Sequence, residues 1–115
     1  MQKEKIEEAL ITLINEKVID RENLLIAKKE LVSLKKQLAE DTRDLTSVIA
    51  IDPEQLLSGK LVKLSNQPLR DSFIAENTKN ITDKIDECYF KINTLTAKLE
   101  DKSDMILFYD IITRA

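Results

Sequence analysis

This chain has no histidine, one glycine, two prolines and one cysteine. Without histidine, the commonest general base and the usual imidazole ligand of protein-bound metals are both missing. A single glycine is too few for the glycine-rich loop that holds a phosphate group. We therefore expect no enzymatic activity, with no catalytic residue, no bound cofactor and no metal site.

The lone cysteine and the lack of long apolar runs exclude further classes. Cys88 has no second cysteine with which to form an internal disulfide, and its position in the apolar heptad pattern described below predicts a small core residue. The chain begins with an amphipathic rather than an apolar stretch, so neither a secretory signal nor a membrane span is predicted. We expect a cytoplasmic protein with no membrane partner.

The residues that are abundant favour helices. Leu, Ile, Lys, Glu and Asp dominate the 115 residues, and the scarcity of glycine and proline leaves few places for turns. This length fits one domain with a modest core. The expectation is a single all-α domain over residues 1–115, built from long helices.

The clearest pattern is a narrow apolar stripe in the second half of the chain, which we call the carboxyl-terminal seam. Its positions alternate in steps of four and three residues, as in a coiled coil. It consists of Ile74, Thr78, Ile81, Ile85, Cys88, Ile92, Leu95 and Leu99. A helix with so narrow a stripe needs a partner helix to bury it.

The first half contains a matching stripe, the amino-terminal seam. It consists of Leu24, Ala27, Leu31, Leu34, Leu38, Asp41, Leu45 and Val48. An antiparallel pairing with Ala27 opposite Leu99 matches every layer and sets Glu30 opposite Lys98. The predicted fold is therefore an antiparallel coiled-coil helical hairpin, although a dimer that exchanges the two seams fits the same pattern.

Local signals predict the element boundaries. The first long helix is expected over 1–49. Near residue 20 the heptad pattern degrades and Asp20 could cap a new helix, so the sequence leaves open whether the helix is continuous there or has a kink or short break. The second is expected over 69–113, after a restart at Asn66-Gln67-Pro68. The connector between them is expected over 50–68.

Inside the connector, Asp52 and Pro53 are a typical helix start, and Ser58-Gly59 is a typical stop. They predict a short capping helix over 53–58. The stretch from Lys60 to Ser65 has the composition of an extended segment.

Two surfaces emerge as candidate binding sites. The predicted register leaves the start of the first helix beyond the carboxyl end of the second, so its apolar residues would need an oligomer contact or a folded-back third helix to cover them. These apolar partner-binding candidates are Ile6, Leu10, Leu13 and Ile14.

The second candidate surface is a stripe of cations along one side of the first helix, which we call the basic stripe. It consists of Arg21, Lys28, Lys29, Lys35, Lys36 and Arg43. A solvated helix face is the simplest interpretation. The alternative is a docking strip for a carboxylate-rich helix or a phosphate backbone, and the net charge of −3 favours a protein over nucleic acid.

These features predict a non-enzymatic protein–protein interaction module: an adaptor, small chaperone or assembly subunit that binds a protein partner or itself as a homo-oligomer. One alternative is a nucleic-acid-associated helical protein that uses the basic stripe. Another is a helical inhibitor or immunity-type protein that blocks a partner enzyme.

The layout resembles one known family. Two long helices joined by a middle region, with Gly59-Lys60-Leu61-Val62-Lys63 at the connection, are similar to the subunits of prefoldin-type chaperones and to the strand entry of their middle region. The resemblance covers this layout and these five residues. No functional residue is carried over from it.

Overall fold

The computed structural model describes residues 2–114. Its elements are, in order, α1 (Gln2–Ile51), β1 (Glu54–Leu57), β2 (Lys60–Lys63), α2 (Gln67–Asn77) and α3 (Lys79–Arg114). The long helices α1 and α3 pack against each other as a helical hairpin, with the short helix α2 between them. The predicted all-α hairpin is thus confirmed. Residues 1 and 115, which the prediction included in the domain, lie outside the described residues.

Helix α1 runs without a break through residue 20, where the sequence allowed a kink or a new helix start. The carboxylate of Asp20 does not cap a helix. It accepts a hydrogen bond from the ammonium group of Lys102 on α3. The charge that suggested a helix boundary is therefore explained by a contact between helices, and of the two alternatives that the sequence left open the structure has the continuous helix.

The connector contains a β-hairpin where we predicted a short helix over 53–58. Strands β1 and β2 pair antiparallel, with Leu56 opposite Leu61. Ser58 and Gly59 form the two-residue turn with φ values of 53° and 79°, and two positive φ values are typical of the type I′ turns that join tight hairpins. The Ser-Gly pair interpreted as a helix stop is thus a hairpin turn, whereas the expected extension after Lys60 is confirmed by β2.

The predicted second helix is present but divided. Asn66 caps α2 by accepting a hydrogen bond from the Leu69 amide at 3.0 Å, as the restart signal predicted. Helix α2 ends at Asn77 and α3 begins at Lys79. The hydroxyl of the intervening Thr78 donates to the Ile74 carbonyl at 2.7 Å, a type of bond that bends helices by competing with their backbone.

Contacts within the chain group its residues into two compact units. The central unit is Leu31–Glu87 and includes the β-hairpin and α2. Its core is formed by Ile49, Leu64 and Phe73, all buried. Around these three lie the half-buried side chains of Leu45, Leu57, Val62, Leu69 and Ile74.

The β-hairpin is attached to α2 by contacts of β1 and by its turn. The carboxylate of Glu76 accepts the Ser58 amide proton at 3.0 and 3.1 Å. A hydrogen bond to a charged group is stronger than a neutral one. This bond therefore fixes Ser58 in its left-handed backbone conformation.

The terminal unit contains α1 as far as Glu30 and α3 from Cys88 onward. Ala27, Cys88 and Leu95 are buried at its centre. The Cys88 thiol donates a hydrogen bond to the Ala27 carbonyl at 3.1 Å. Cys88 is thus a small core residue, as its sequence context predicted.

The register of the terminal unit differs from our prediction by one heptad. Glu30 forms its ion pair with Lys91, at 3.8 Å, and not with Lys98 seven residues later. A slide of seven residues keeps every seam position on the seam, so the apolar pattern by itself hardly distinguishes the two registers.

Two polar residues explain which register is adopted. The predicted register would set Asp20 opposite Ile106 and Lys102 opposite Leu24, which places each charge against an apolar side chain. In the structure Lys102 instead bonds Asp20 and lies 3.5 Å from Glu16. Pairing these charges satisfies both of them and selects the register.

Candidate functional site

The shift in register changes which part of α3 lies near the predicted apolar site. Because α3 lies one heptad further along α1 than predicted, its end lies nearer the first turns of α1 than the predicted register placed it. Ile6, Leu10 and Leu13 are half-buried, while Ile14 is 45% exposed. The chain therefore covers part of the surface that we had assigned to a partner.

A different group of apolar side chains on α1 is exposed in the terminal unit, and we call it the outer apolar face. Each of its members is exposed by about half or more, from 49% at Val18 to 63% at Ile26. The face consists of Ile11, Val18, Ile19, Leu25 and Ile26. They follow one side of the helix because residues seven apart lie almost directly above one another.

The sequence contains a signal for this face that the two seams do not reveal. Ile11, Val18 and Leu25 are spaced by seven residues, and Val32 continues the series in the central unit at 69% exposure. Charged residues between these positions obscure the pattern. The residues of the seam and this second, exposed series on the same helix can be separated only after each residue has been assigned its heptad position.

Two opposite charges lie within the outer apolar face. Glu22 is one turn after Val18 and one turn before Leu25 and Ile26, and Lys29 is one turn after these two. Both are exposed. Within residues 2–114 neither side chain takes part in an intramolecular ion pair. Their charges are therefore available to a binding partner.

All six residues of the basic stripe are exposed. Arg21, Lys28 and Lys29 belong to the terminal unit, and Lys35, Lys36 and Arg43 to the central unit. Viewed along the axis of α1, the basic stripe consists of two columns of residues. Arg21 and Lys28 lie on one side of Leu25, and Lys29 lies on the other. Arg21 and Lys28 thus border the outer apolar face, whereas Lys29 lies within it.

The central unit has a cleft of about 430 Å³. Most of its lining is apolar, and the polar lining residues are Thr46, Gln67 and Arg70. The Arg70 guanidinium donates to the carbonyls of Leu64 at 3.2 Å and Ser65 at 3.4 Å. Arg70 therefore fixes the segment that leads into α2, and the cleft offers a ligand few other polar groups.

The β-hairpin also exposes apolar side chains in the central unit. Leu56 and Leu61, which lie directly opposite each other, are 63% and 66% exposed. The pair Glu54 and Lys63 lies beside them on the same face. This patch is smaller than the outer apolar face, with two large aliphatic residues against five.

Comparison with known proteins assigns no family: no family model, curated protein or solved structure matches the chain. Between residues 2 and 114, no helix has a segment long and apolar enough to cross a lipid bilayer.

Proposed function

We propose that this protein is a non-enzymatic protein–protein interaction module that binds through the outer apolar face of α1. The observation that supports the proposal is the exposure of five large aliphatic side chains along one side of a regular helix. A contiguous exposed apolar surface on a folded protein is typical of a binding site. An adaptor, a small chaperone or an assembly subunit would each use such a face.

The size of the face is consistent with binding by several side chains together. Covering the exposed half of one Ile or Leu contributes about 1 kcal/mol. Five such side chains then contribute about 5 kcal/mol, which is comparable to the cost of bringing two molecules together. Bordering charges must therefore add to the affinity and determine which partner binds.

The arrangement of the charges favours a protein partner over nucleic acid. Leu25 lies between cations on both sides, and an apolar centre with a charged rim is typical of protein interfaces. A phosphate backbone gains nothing from aliphatic side chains, and Glu22 within the face would repel it. Arg21 and Lys28 of the basic stripe thus act as the rim on one side of a protein-binding face.

A binding experiment with three versions of the full chain tests the proposal. The tagged wild type, Leu25→Asp on the face, and Phe90→Asp on α3 are used to retain proteins from a lysate of the source cells. Phe90 is 75% exposed in the same unit and lies outside the face. We expect a protein that binds the wild type and Phe90→Asp, is lost with Leu25→Asp, and binds again when purified.

The partner identified by mass spectrometry can be another protein or an untagged copy of this chain. If all three versions retain the same proteins equally, the outer apolar face is not a binding site. Retention of DNA by the wild type at about 50 mM salt, with loss on raising the salt, would instead support the nucleic-acid alternative.

A further inference from the structure

We infer that the outer apolar face binds a second copy of this chain, with the two α1 helices antiparallel. The inference rests on the proposed function, because it names the occupant of the same face. It depends on where Glu22 and Lys29 lie relative to the apolar side chains around them.

The centre of the face is complementary to itself under a twofold rotation. Glu22 and Lys29 are equally distant from the midpoint between Leu25 and Ile26. A twofold axis through that midpoint places Glu22 opposite Lys29 of the second copy, and Lys29 opposite its Glu22. The same axis packs Leu25 and Ile26 against the same two residues of the second copy. One patch thus supplies an apolar centre and two symmetric ion pairs.

The charges also determine the direction of the second helix. A parallel, in-register copy would set Glu22 against Glu22 and Lys29 against Lys29, and like charges across an interface oppose association. Only the antiparallel copy pairs opposite charges at both positions.

The sequence continues the same polarity away from the axis. Along the heptad column of Glu22 and Lys29, Glu8 lies towards the amino end of α1 and Arg43 towards its carboxyl end. A twofold axis at the same midpoint sets Glu8 opposite Arg43 of the second copy, whereas Lys36 falls opposite the neutral Asn15 and gains no ion pair there.

Free side chains make the pairing favourable. Glu22 and Lys29 are exposed and form no intramolecular ion pair in the part of the chain that the structure describes. No existing ion pair has to break before the second copy binds. The charges then add to association and set its register, while the aliphatic centre excludes water.

Charge reversal in the full chain, followed by sedimentation equilibrium, tests the inference. We expect the wild type to dimerise. Glu22→Lys and Lys29→Glu should each raise the dimer Kd by about tenfold, because each change turns two symmetric attractions into repulsions. The double variant should return the Kd to near the wild-type value, and an equimolar mixture of the single variants should form a heterodimer.

Two further variants locate the interface. Leu25→Asp, next to the axis, should give a monomer, while Phe90→Asp on α3 should dimerise like the wild type. Circular dichroism confirms that each variant keeps its helices, which is expected because the substituted side chains are exposed.

Failure of the dimer inference can be distinguished from failure of the proposed function. A wild type that remains monomeric at every concentration, or a dimer that is insensitive to Leu25→Asp and to charge reversal, overturns the inference. If the lysate experiment at the same time yields another protein that is lost with Leu25→Asp, the proposed function remains and only the second copy is rejected. If that experiment yields nothing specific, both are rejected.

Discussion

The ammonium group of Lys102 on α3 donates a hydrogen bond to the carboxylate of Asp20 on α1 and lies 3.5 Å from that of Glu16. The side chains of Asp20 and Lys102 are only 13% and 19% exposed. One cation thus joins two carboxylates within a mostly apolar seam. An ion pair in such a position contributes more to the choice of register than to stability.

Removing only one member of this group should destabilise the protein. Lys102→Met leaves Asp20 and Glu16 facing each other without a cation, so we expect a clear fall in the melting temperature, followed by circular dichroism. The exposed Lys98→Met is the control and should melt like the wild type. Replacing both Asp20 and Lys102 with Leu should recover the stability that either single substitution loses. Unchanged melting of Lys102→Met would contradict a role for the pair.

Alkaline pH should weaken the same contact. The hydrogen bond to Asp20, followed by the attraction of Asp20 and Glu16, raises the pKa of Lys102 above its usual value of 10.5. When the pKa is raised in the folded state, the stabilisation that the charged Lys102 gives the folded protein is complete below the unfolded-state pKa. It is lost as the pH rises through the folded-state pKa. As the pH rises above about 10.5, the usual pKa of a lysine, the wild type should therefore lose more stability than Lys102→Met does. Parallel loss in both proteins would contradict this linkage.

The hairpin turn should depend on the conformation of Gly59 rather than on space. A β-carbon at Gly59 would meet no atom within 4 Å, but φ is +79°. Gly59→Ala should thus lower the free energy of unfolding by about 1 kcal/mol, the cost of a left-handed conformation for an L-residue. Urea unfolding measures it, and Ser58→Asn is the control, because Asn-Gly suits a type I′ turn and should not destabilise. A loss with Asn as large as that with Ala would argue against this turn.

Two phenylalanines provide a matched test of the core. Phe73 is 5% exposed in the central unit, whereas Phe90 is 75% exposed in the terminal unit. Phe73→Ala should lower the free energy of unfolding by about 3–5 kcal/mol, since it leaves a cavity beside Ile49 and Leu64. Phe90→Ala should change it by no more than about 0.5 kcal/mol. Similar losses in urea unfolding would contradict the assignment of the core.

The heptad seams predicted the helical hairpin because their spacing leaves few other ways to bury a narrow stripe. They did not predict the register, since a slide of seven residues preserves the apolar pattern. Asp20 and Lys102 contained the deciding information, but a lone Asp in a weak stretch of heptads is also a normal helix cap. Their pairing becomes visible only when both helices are placed.

The connector shows the same ambiguity at shorter range. Asp52, Pro53 and the Ser58-Gly59 pair suit a helix start and stop, yet they equally suit the entry and turn of a hairpin. Contacts distant in sequence decide between the two, namely the pairing of Glu54–Leu57 with β2 and the Glu76 carboxylate on Ser58. The outer apolar face, in contrast, was present in the sequence as a seven-residue spacing and required only the heptad frame.

The burial of Cys88 gives the protein an internal reporter of its own dynamics. It is the only cysteine, and its thiol is bonded to the Ala27 carbonyl between α1 and α3. An alkylating reagent can react with it only when the two helices separate locally, so the labelling rate of the native protein measures how often that opening occurs. Slower labelling at higher protein concentration would show that self-association holds the helix pair closed.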